Sequence, residues 1–321
     1  MTMEEELERR ASLVSGAIER LLPVLHPRGL YEASRHLVGS GGKRLRPSML
    51  LLAAEAVGKD AESLVPAAVS IELIHSFTLI HDDIMDNADV RRGRPSVHRV
   101  WGVSGAILAG DTLYSKAFQA LGMADAEPAL ILKAMNVLSR TCTAICEGQW
   151  LDMEFEGREG VSEEEYLEMI EKKTGVLYGA SASIGALLAG ASDEVVRHLD
   201  LFGRLTGMGF QIQDDVLDLV ASEKALGKRR GGDLVEGKKT LIVIHALSQG
   251  IKVDPFGRKD ASADQIEEAI SRLEECGSIG YAKGRAAEMV ERGKEALEVL
   301  PDSRAKATLL ELADYMIRRR Y

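Results

Sequence analysis

Residues 79–87 read Leu-Ile-His-Asp-Asp-Ile-Met-Asp-Asn, so three carboxylates follow directly on an apolar run. On an α-helix, residues four positions apart lie one above the other on the same face. Asp82 and Asp86 therefore point the same way, and carboxylates held so close repel each other unless a cation lies between them. The spacing recurs at Asp214-Asp215-Val216-Leu217-Asp218, again after a largely apolar run. One cluster could be a solvated patch, but two on apolar helix faces predict a metal-filled cavity between them.

The composition is that of a helix-rich protein. The chain has 321 residues, of which 45% are hydrophobic and 28% charged, enough to bury a sizeable core. Aromatic residues make up only 5%, and good helix formers dominate. The formal net charge of −10 argues against nucleic acid as the main partner.

Cysteine usage and the N-terminus bear on the compartment. Cys142, Cys146 and Cys276 are too few for a disulfide framework, which favours a reducing cytoplasm. We interpret Cys142 and Cys146 as small core residues on one helix face, since no histidine or further cysteine completes a metal site. The acidic N-terminal residues are not expected to form a signal or transit peptide, and no apolar run is expected to span a membrane. We therefore expect a cytoplasmic protein without a transmembrane segment.

Apolar periodicity predicts helices along the whole chain and no clear strand. A capping box formed by Ser162 and Glu165 begins one of them, and small residues at 179–190 indicate close helix packing. Residues 91–95 and 227–239 are predicted loops. No linker interrupts the pattern, which favours one domain over residues 1–321. The predicted helices are 3–23, 28–40, 48–57, 63–87, 106–120, 128–155, 162–174, 193–220, 240–249, 263–276, 279–299 and 303–320.

Basic residues lie close in sequence to the first carboxylate cluster. Lys43 and Arg46 are three residues apart beside two glycines, and Arg91 and Arg92 follow Asp86 by five and six residues. Arginine binds phosphate oxygens in a bidentate manner, and lysine binds them as a point charge. Cations beside carboxylates in an acidic chain indicate a magnesium-diphosphate site. The alternative is that both arginines simply pair with the nearby aspartates.

Weaker signals occur further along the chain. Glycines paired with lysines stand at 172–175, 227–228 and 231–240, where each motif alone is also typical of a helix-capping turn. The segment 232–239 comes close to a P-loop, but Lys239 stands where Ser or Thr is needed and no strand precedes it. His75 is either a satisfied buried histidine or a phosphate donor. No strand-to-helix elbow supports a nucleophilic mechanism.

Together these motifs resemble the trans-isoprenyl diphosphate synthases of the polyprenyl synthetase family over nearly the whole chain. The resemblance implies an all-α, antiparallel helical bundle around a deep central cavity, usually a homodimer, with three Mg²⁺ per active site. It implies head-to-tail condensation of isopentenyl diphosphate with a dimethylallyl, geranyl or farnesyl diphosphate and release of pyrophosphate. The matching motifs, in the family's order, are Gly-Gly-Lys-Arg-Leu-Arg-Pro at 41–47, Asp82–Asp86 with Arg91-Arg92-Gly93, Gly148-Gln149 with Asp152, Lys173-Thr174, Gln211 with Asp214-Asp215-x-x-Asp218, and Gly237-Lys238.

The resemblance also assigns roles to the matched residues. Asp82 and Asp86 hold two metals and Asp214 the third, supported by Asp83, Asp215 and Asp218. The residues implied to bind the allylic diphosphate are Arg91, Lys173, Lys228 and Lys238. Those implied to bind isopentenyl diphosphate are Lys43, Arg46, His75 and Arg92. Thr174 and Gln211 lie near the developing carbocation and the proton to be lost, and with Lys173 and Lys238 they form the implied catalytic set.

Residues below the first cluster bear on product length. One helical turn is about 5.4 Å, on the order of one isoprene unit, so side chains before Asp82 can act as a ruler. Phe77 is bulky and Thr78 is small, and the cluster has no two-residue insertion. This pattern resembles archaeal-type geranylgeranyl diphosphate synthases, which make a C20 product. Farnesyl synthases usually carry a second aromatic residue at the position of Thr78, or the insertion, and long-chain synthases a small residue at that of Phe77. Ordinary core packing is the alternative role for Phe77.

Three other functions remain open at this stage. A farnesyl or longer-chain synthase differs only in the residues that set product length, Phe77 and Thr78 in this chain. The alternative of the same class is a terpene cyclase or a squalene-type head-to-head synthase, and cyclases normally replace the second cluster with an Asn/Ser/Glu pattern, which residues 214–218 do not match. A non-catalytic subunit of a hetero-oligomeric synthase is expected to lose aspartates or lysines, and here all are present. The C-terminal Arg318-Arg319-Arg320 is interpreted as a solvated helix end that complements the helix dipole.

Overall fold

The computed structural model describes residues 2–222 and 230–318, and helices account for almost all of its regular structure. The predicted all-α fold class is confirmed. Short 3₁₀ segments precede α4 (Ala61–Leu64) and follow α13 (Ala296–Val299), and a π-helix occupies Glu171–Gly175. The helices are α1 (Met3–Leu21), α2 (Arg28–Val38), α3 (Leu45–Ala56), α4 (Val65–Met85), α5 (Val97–Leu121), α6 (Pro128–Glu156), α7 (Glu163–Ile170), α8 (Val176–Leu188), α9 (Asp193–Val220), α10 (Gly232–Glu236), α11 (Leu241–Ser248), α12 (Ala263–Glu275), α13 (Ser278–Glu295) and α14 (Arg304–Arg318).

A small hairpin replaces the loop that was predicted after the first carboxylate cluster. Strands β1 (Val90–Arg91) and β2 (Arg94–Pro95) pair antiparallel, so the expectation of no strand is wrong here. The two residues between them, Arg92 and Gly93, have φ of 53° and 72°. Positive φ at both central positions is the requirement of the tight hairpin turn whose twist matches that of the strands. The turn could not be predicted from the sequence Arg-Gly, because arginine seldom adopts positive φ.

Other boundaries differ in ways that glycine explains. Helix α5 begins at Val97 rather than at 106, with an interruption at Gly102, whose φ is 73°. Helix α10 lies inside the predicted loop 227–239, between Gly231 and Gly237 in left-handed conformations. Both predictions are wrong at positions where a glycine permits a backbone turn that apolar periodicity does not reveal. Residue Lys228 lies outside the described residues.

The described chain groups into two compact units. The first comprises Met1–Cys142, Ala180–Asp200 and Val299–Leu309, and the second Thr143–Gly179, Leu201–Glu298 and Leu310–Tyr321. The single domain over residues 1–321 therefore stays a prediction.

Helix α4 forms the centre of the first unit. Its apolar side chains Val69, Ile71, Leu73 and Ile74 are fully buried, as the apolar pattern predicts for a central helix. The small residues at 179–190 serve close packing, as predicted: a Cβ on Gly185 would lie 2.2 Å from the carbonyl oxygen of Leu50.

The second unit is built around the C-terminal half of α9. The buried side chains of Met208, Ile212 and Val216 on this helix belong to one apolar cluster with Tyr166 and Ile170. Glycine again allows close approach, since a Cβ on Gly203 would lie 2.3 Å from the carbonyl oxygen of Tyr178. Because α9 is closely packed, the second carboxylate cluster, which this helix carries, is held in place.

Some predictions about surface and core need correction. Cys142 is buried, but Cys146 is exposed, so the prediction that both are core residues is wrong for Cys146. The described segments Ala61–Met85 and Pro128–Glu156 are long and apolar enough to span a membrane by length and composition, contrary to expectation. A core helix meets the same test, and 67% of the most apolar part of Ala61–Met85 is buried, against 28% for Pro128–Glu156. Arg318 lies exposed at the end of α14, 3.7 Å from Asp314, as expected for a solvated helix end, and Arg319 and Arg320 lie outside the described residues.

Candidate active site

The last turn of α4 separates the carboxylates of the first cluster into two kinds. Asp86 is exposed and the Asp82 side chain is partly so, whereas the Asp83 side chain is only 1% exposed. Asp83 is buried because successive residues of a helix are rotated by about 100°. Asp82 and Asp86 are thus the accessible pair, and Asp83 faces the protein.

Arg91 satisfies the buried carboxylate. Its Nε donates to Asp83 Oδ1 at 2.7 Å, and its Nη2 donates to Asp82 Oδ2 at 3.2 Å. Burial raises the pKa of Asp83, and the guanidinium of Arg91 opposes that shift. The pairing that the sequence left as an alternative is therefore present for Arg91.

Arg92 contacts the loop of the first basic motif rather than the aspartates that Arg91 binds. Its Nη1 donates to the carbonyl oxygen of Gly41 at 2.6 Å, in the loop that carries the first basic motif. Gly42 has φ of 131°, and a Cβ there would lie 3.1 Å from Arg92 Nη1. The paired glycines thus give the loop its turn and leave room for the guanidinium, which brings Arg92 to the same loop as Lys43.

Arg46 and His75 lie in contact, with 3.3 Å between Arg46 Nη1 and His75 Nε2. Because a guanidinium carries only donors, the imidazole nitrogen must accept. Burial and the charges of Arg46 and Arg92 lower the pKa of His75 well below its usual value. His75 is therefore neutral and satisfied by Arg46. All four residues predicted to bind isopentenyl diphosphate belong to the first unit.

The second cluster, on α9, shows the same separation of exposed and buried carboxylates. Asp214 is partly exposed, whereas Asp215 and Asp218 are buried. Asp215 Oδ2 accepts from the hydroxyl of Tyr166 at 2.7 Å, and its Oδ1 accepts from Gln211 Nε2 at 2.9 Å. Burial, reinforced by the carboxylate of Asp233, raises the pKa of Asp215 to about 7. Asp218 Oδ2 accepts from the backbone N–H of Asp233 at 3.0 Å, which ties α10 to the cluster.

The motif Lys173-Thr174 lies in the π-helix, a distortion that is frequent at functional sites. Lys173 Nζ donates to Asp152 Oδ2 at 2.5 Å, so the motifs at 148–152 and 173–174 meet in space. Thr174 Oγ1 donates to Gln211 Oε1 at 2.9 Å, which joins the π-helix to the second cluster. Lys238 Nζ lies 3.2 Å from Glu236 and 3.7 Å from Asp233.

The ruler residues lie one turn below Asp82. The Phe77 ring packs edge-on against His81, with 4.8 Å between centroids, and against Tyr114, with 5.3 Å. Thr78 Oγ1 donates to the carbonyl oxygen of His75 at 2.8 Å. The packing role of Phe77 is therefore present, and its role as a ruler stays a prediction.

Two further features of the site were not found from the sequence. Arg44 lies directly before α3 with φ of 48°, and its guanidinium pairs with Glu72 in the middle of α4, both side chains being almost completely buried. Arg44 also donates to the carbonyl oxygen of Val38 at 2.6 Å, so it fixes the loop between α2 and α3 that carries Lys43. A lone glutamate within the apolar run of α4 was the available signal, because a buried charge needs a partner. The second feature that was not found is the contact between Tyr166 and Asp215, which no sequence spacing indicates.

The donor chemistry of the two clusters fits Mg²⁺. Within the described residues, no group of three His, Cys, Asp or Glu side chains converges to hold a metal by itself. Mg²⁺ commonly binds through one or two carboxylates and completes its shell with water and substrate phosphates. The accessible carboxylates Asp82, Asp86 and Asp214 suit that mode of binding.

Comparison with known proteins gives consistent matches over the whole chain. Residues 27–273 match the family model described as Polyprenyl synthetase. A geranylgeranyl diphosphate synthase of Methanosarcina mazei is 60% identical over 321 residues, covering 100% of this chain and 99% of that protein. A geranylfarnesyl diphosphate synthase of Natronomonas pharaonis is 49% identical over 335 residues, covering 99% and 98%. The solved geranylgeranyl pyrophosphate synthetase of Geoglobus acetivorans is 50% identical, with a TM-score of 0.93 and coverage of 98% and 99%.

Proposed function

We propose that this chain, which belongs to the polyprenyl synthetase family, is a trans-prenyltransferase that makes geranylgeranyl diphosphate. It condenses isopentenyl diphosphate head-to-tail with an allylic diphosphate and releases pyrophosphate. The observation that carries the proposal is the pair of carboxylate clusters, in each of which accessible and buried aspartates are separated and the buried ones accept hydrogen bonds. The relatives named as geranylgeranyl diphosphate synthases support the C20 product.

Magnesium is the metal that the carboxylates are proposed to hold. Asp82 and Asp86 would hold two ions and Asp214 a third, with the buried Asp83, Asp215 and Asp218 as supports. When bound, the ions neutralise the charge that develops on the departing pyrophosphate. That part of the proposal rests on the chemistry of the donor set and on family resemblance.

The basic residues bind and orient the two diphosphates. Arg91, Lys173 and Lys238 are proposed to grip the allylic diphosphate, and each of them has a carboxylate partner that holds its side chain in place. Lys228, the fourth of that set, lies outside the described residues. The residues proposed for isopentenyl diphosphate are Lys43, Arg46, His75 and Arg92. Cations preorganised in this way stabilise the leaving group without reorganisation at the moment of reaction.

Thr174 and Gln211 are proposed to face the reacting carbons. The Thr174 hydroxyl donates to Gln211 Oε1 at 2.9 Å, so these two oxygen atoms lie side by side at the π-helix. Oxygen dipoles stabilise the allylic cation formed when the C–O bond ionises. After the alkene attacks, a proton leaves, and the released pyrophosphate is the proposed base.

The purified chain tests the proposal directly. It is incubated with isopentenyl diphosphate, Mg²⁺ and each of dimethylallyl, geranyl and farnesyl diphosphate, and the products are identified by mass. We expect a C20 diphosphate as the main product, loss of activity on chelation, and a large loss for Asp82→Asn. Asp260→Asn, on an exposed side chain, is the matched control and should keep wild-type activity.

The other outcomes separate the alternatives. No condensation with any primer contradicts the synthase and favours a non-catalytic subunit, and a cyclic hydrocarbon product favours a cyclase. A main product of C15, or one longer than C20, supports the proposed reaction and contradicts the proposed product length.

Homodimerisation is proposed from the surface of α5 together with the family resemblance. Val100, Val103, Ile107 and Leu108 lie on this helix and are 42–57% exposed. Contiguous exposed apolar side chains mark interaction sites on soluble proteins. Light scattering should give twice the mass of the chain, and Leu108→Glu should reduce it to that of the monomer. Cytoplasmic localisation is proposed from the free cysteines and is checked by cell fractionation.

A further inference from the structure

Tyr166 is a buried tyrosine whose hydroxyl is directed at the second carboxylate cluster. Its side chain is 1% exposed, and its ring packs in the apolar cluster of the second unit. The hydroxyl donates to Asp215 Oδ2 at 2.7 Å. A buried Tyr hydroxyl normally finds a partner, but here that partner is a carboxylate that belongs to the active-site motif.

Asp215 has both carboxylate oxygens engaged within the protein. Oδ2 accepts from Tyr166, and Oδ1 accepts from Gln211 Nε2 at 2.9 Å. The Gln211 amide therefore presents its NH₂ group to Asp215 Oδ1. Asp215 therefore links the Tyr166 hydroxyl to the Gln211 amide through its two carboxylate oxygens.

The orientation of Gln211 determines that of Thr174. With its NH₂ group turned to Asp215, Gln211 presents its carbonyl oxygen Oε1 to the π-helix. Thr174 Oγ1 donates to that oxygen at 2.9 Å, so the direction of its hydroxyl proton is fixed as well. One continuous chain of hydrogen bonds runs from Tyr166 through Asp215 and Gln211 to Thr174.

We propose that Tyr166 is a positioning residue for prenyl transfer, acting through Asp215 to set the orientation of Gln211 and Thr174. The inference rests on the proposed function, in which Gln211 and Thr174 face the developing carbocation. Without the Tyr166 hydroxyl, the carboxylate of Asp215 loses the bond that keeps Oδ1 directed at Gln211. The Gln211 amide is then free to turn, and it presents N–H groups where oxygen is needed.

Tyr166→Phe tests the proposal because it removes the hydroxyl and keeps the buried ring. We expect kcat to fall by about ten- to one-hundred-fold, the range expected for one hydrogen bond to a charged group. The KM for either diphosphate and the Mg²⁺ concentration for half-maximal rate should change by less than about three-fold, because no binding group is altered. The matched control is Tyr281→Phe, whose hydroxyl donates to Glu163 at 2.6 Å away from the cluster, and it should keep the wild-type kcat.

A double-mutant cycle with Gln211→Ala distinguishes positioning from a general structural effect. If Tyr166 acts through Gln211, the double variant loses no more kcat than Gln211→Ala alone. If the losses in kcat of the two single variants multiply in the double variant, the proposal is overturned. A kcat for Tyr166→Phe within about two-fold of wild type overturns it as well, as does a parallel shift in the Mg²⁺ dependence of the rate.

Folding and the proposed function are controlled separately. If Tyr166→Phe does not fold, Asp215→Asn breaks the same chain, and an unchanged kcat for that variant overturns the inference. A wild-type chain that condenses no diphosphates contradicts the proposed function. An active wild-type chain with an unaffected Tyr166→Phe variant contradicts this inference alone.

Discussion

Gly148→Ala is expected to damage catalysis much more than stability. Gly148 lies in α6 against the π-helix, and a Cβ there would be 2.3 Å from Lys173 N, 2.7 Å from Lys172 C and 2.8 Å from Lys173 Cα. All three are backbone atoms, so no side chain can turn aside to make room. Restoring ordinary contact requires the backbone of Lys173 and Thr174 to move by about 1 Å. A displacement of that size at a catalytic group costs about 10²-fold in rate.

The cost in stability is smaller because two effects oppose each other. Overpacking a well-packed contact costs about 1–3 kcal/mol. Replacing a helical glycine by alanine contributes about 0.5–1 kcal/mol of stability. The free energy of unfolding of Gly148→Ala should therefore fall by only about 1 kcal/mol.

The assay measures both quantities on the same preparations. Pyrophosphate release gives kcat, and urea unfolding followed by circular dichroism gives the free energy of unfolding. Gly284→Ala in α13 is the matched control, because nothing lies within 4 Å of a Cβ at that position. It should gain about 0.5–1 kcal/mol and keep kcat. A Gly148→Ala enzyme that gains stability in the same way and stays active would refute the reasoning that this close approach positions Lys173 and Thr174.

Three further outcomes follow from the first unit. Phe77→Ala should give products longer than C20 by mass, because it opens the helix face one turn below Asp82, and an unchanged product would contradict the ruler. Glu72→Gln should cost about 3–5 kcal/mol in urea unfolding, since it leaves Arg44 charged and buried, and a near-zero change would show that the pair is dispensable. The lowered pKa of folded His75 means that its contribution to stability is present above about pH 6.5 and lost as pH falls below it. Unfolding at about pH 7.5 and about pH 5.5 should show this loss in the wild type and less of it in His75→Gln.

The sequence was sufficient for elements that a repeating physical pattern specifies. Long helices such as α4 and α9 follow from apolar periodicity, and the capping box at Ser162 is present with both of its hydrogen bonds. The β1–β2 hairpin was missed because its turn depends on positive φ at Arg92, a conformation that composition does not reveal. The π-helix was missed because Glu171–Gly175 falls at the end of the predicted helix 162–174, and a single wide turn leaves no periodicity of its own.

The site shows the same limit at the level of side chains. The four-residue spacing of Asp82 and Asp86 predicts a shared face, and both are accessible as expected. Contacts across long sequence separations cannot be read in this way. Arg44 meets Glu72 after 28 residues, and Tyr166 meets Asp215 after 49, because helix packing rather than spacing brings them together.

The two carboxylate clusters share a spacing but differ in how the charge of the second aspartate, which is buried in both, is compensated. In the first, the charge of Asp83 meets the cation of Arg91, which opposes the effect of burial on its pKa. In the second, the hydrogen bonds to Asp215 come from neutral donors on Tyr166 and Gln211, and its pKa rises to about 7. A cation compensates a buried charge by itself, whereas neutral donors must be aligned to do so. The second cluster therefore depends on the orientation of its neighbours, and Gln211 and Thr174 are oriented as a consequence.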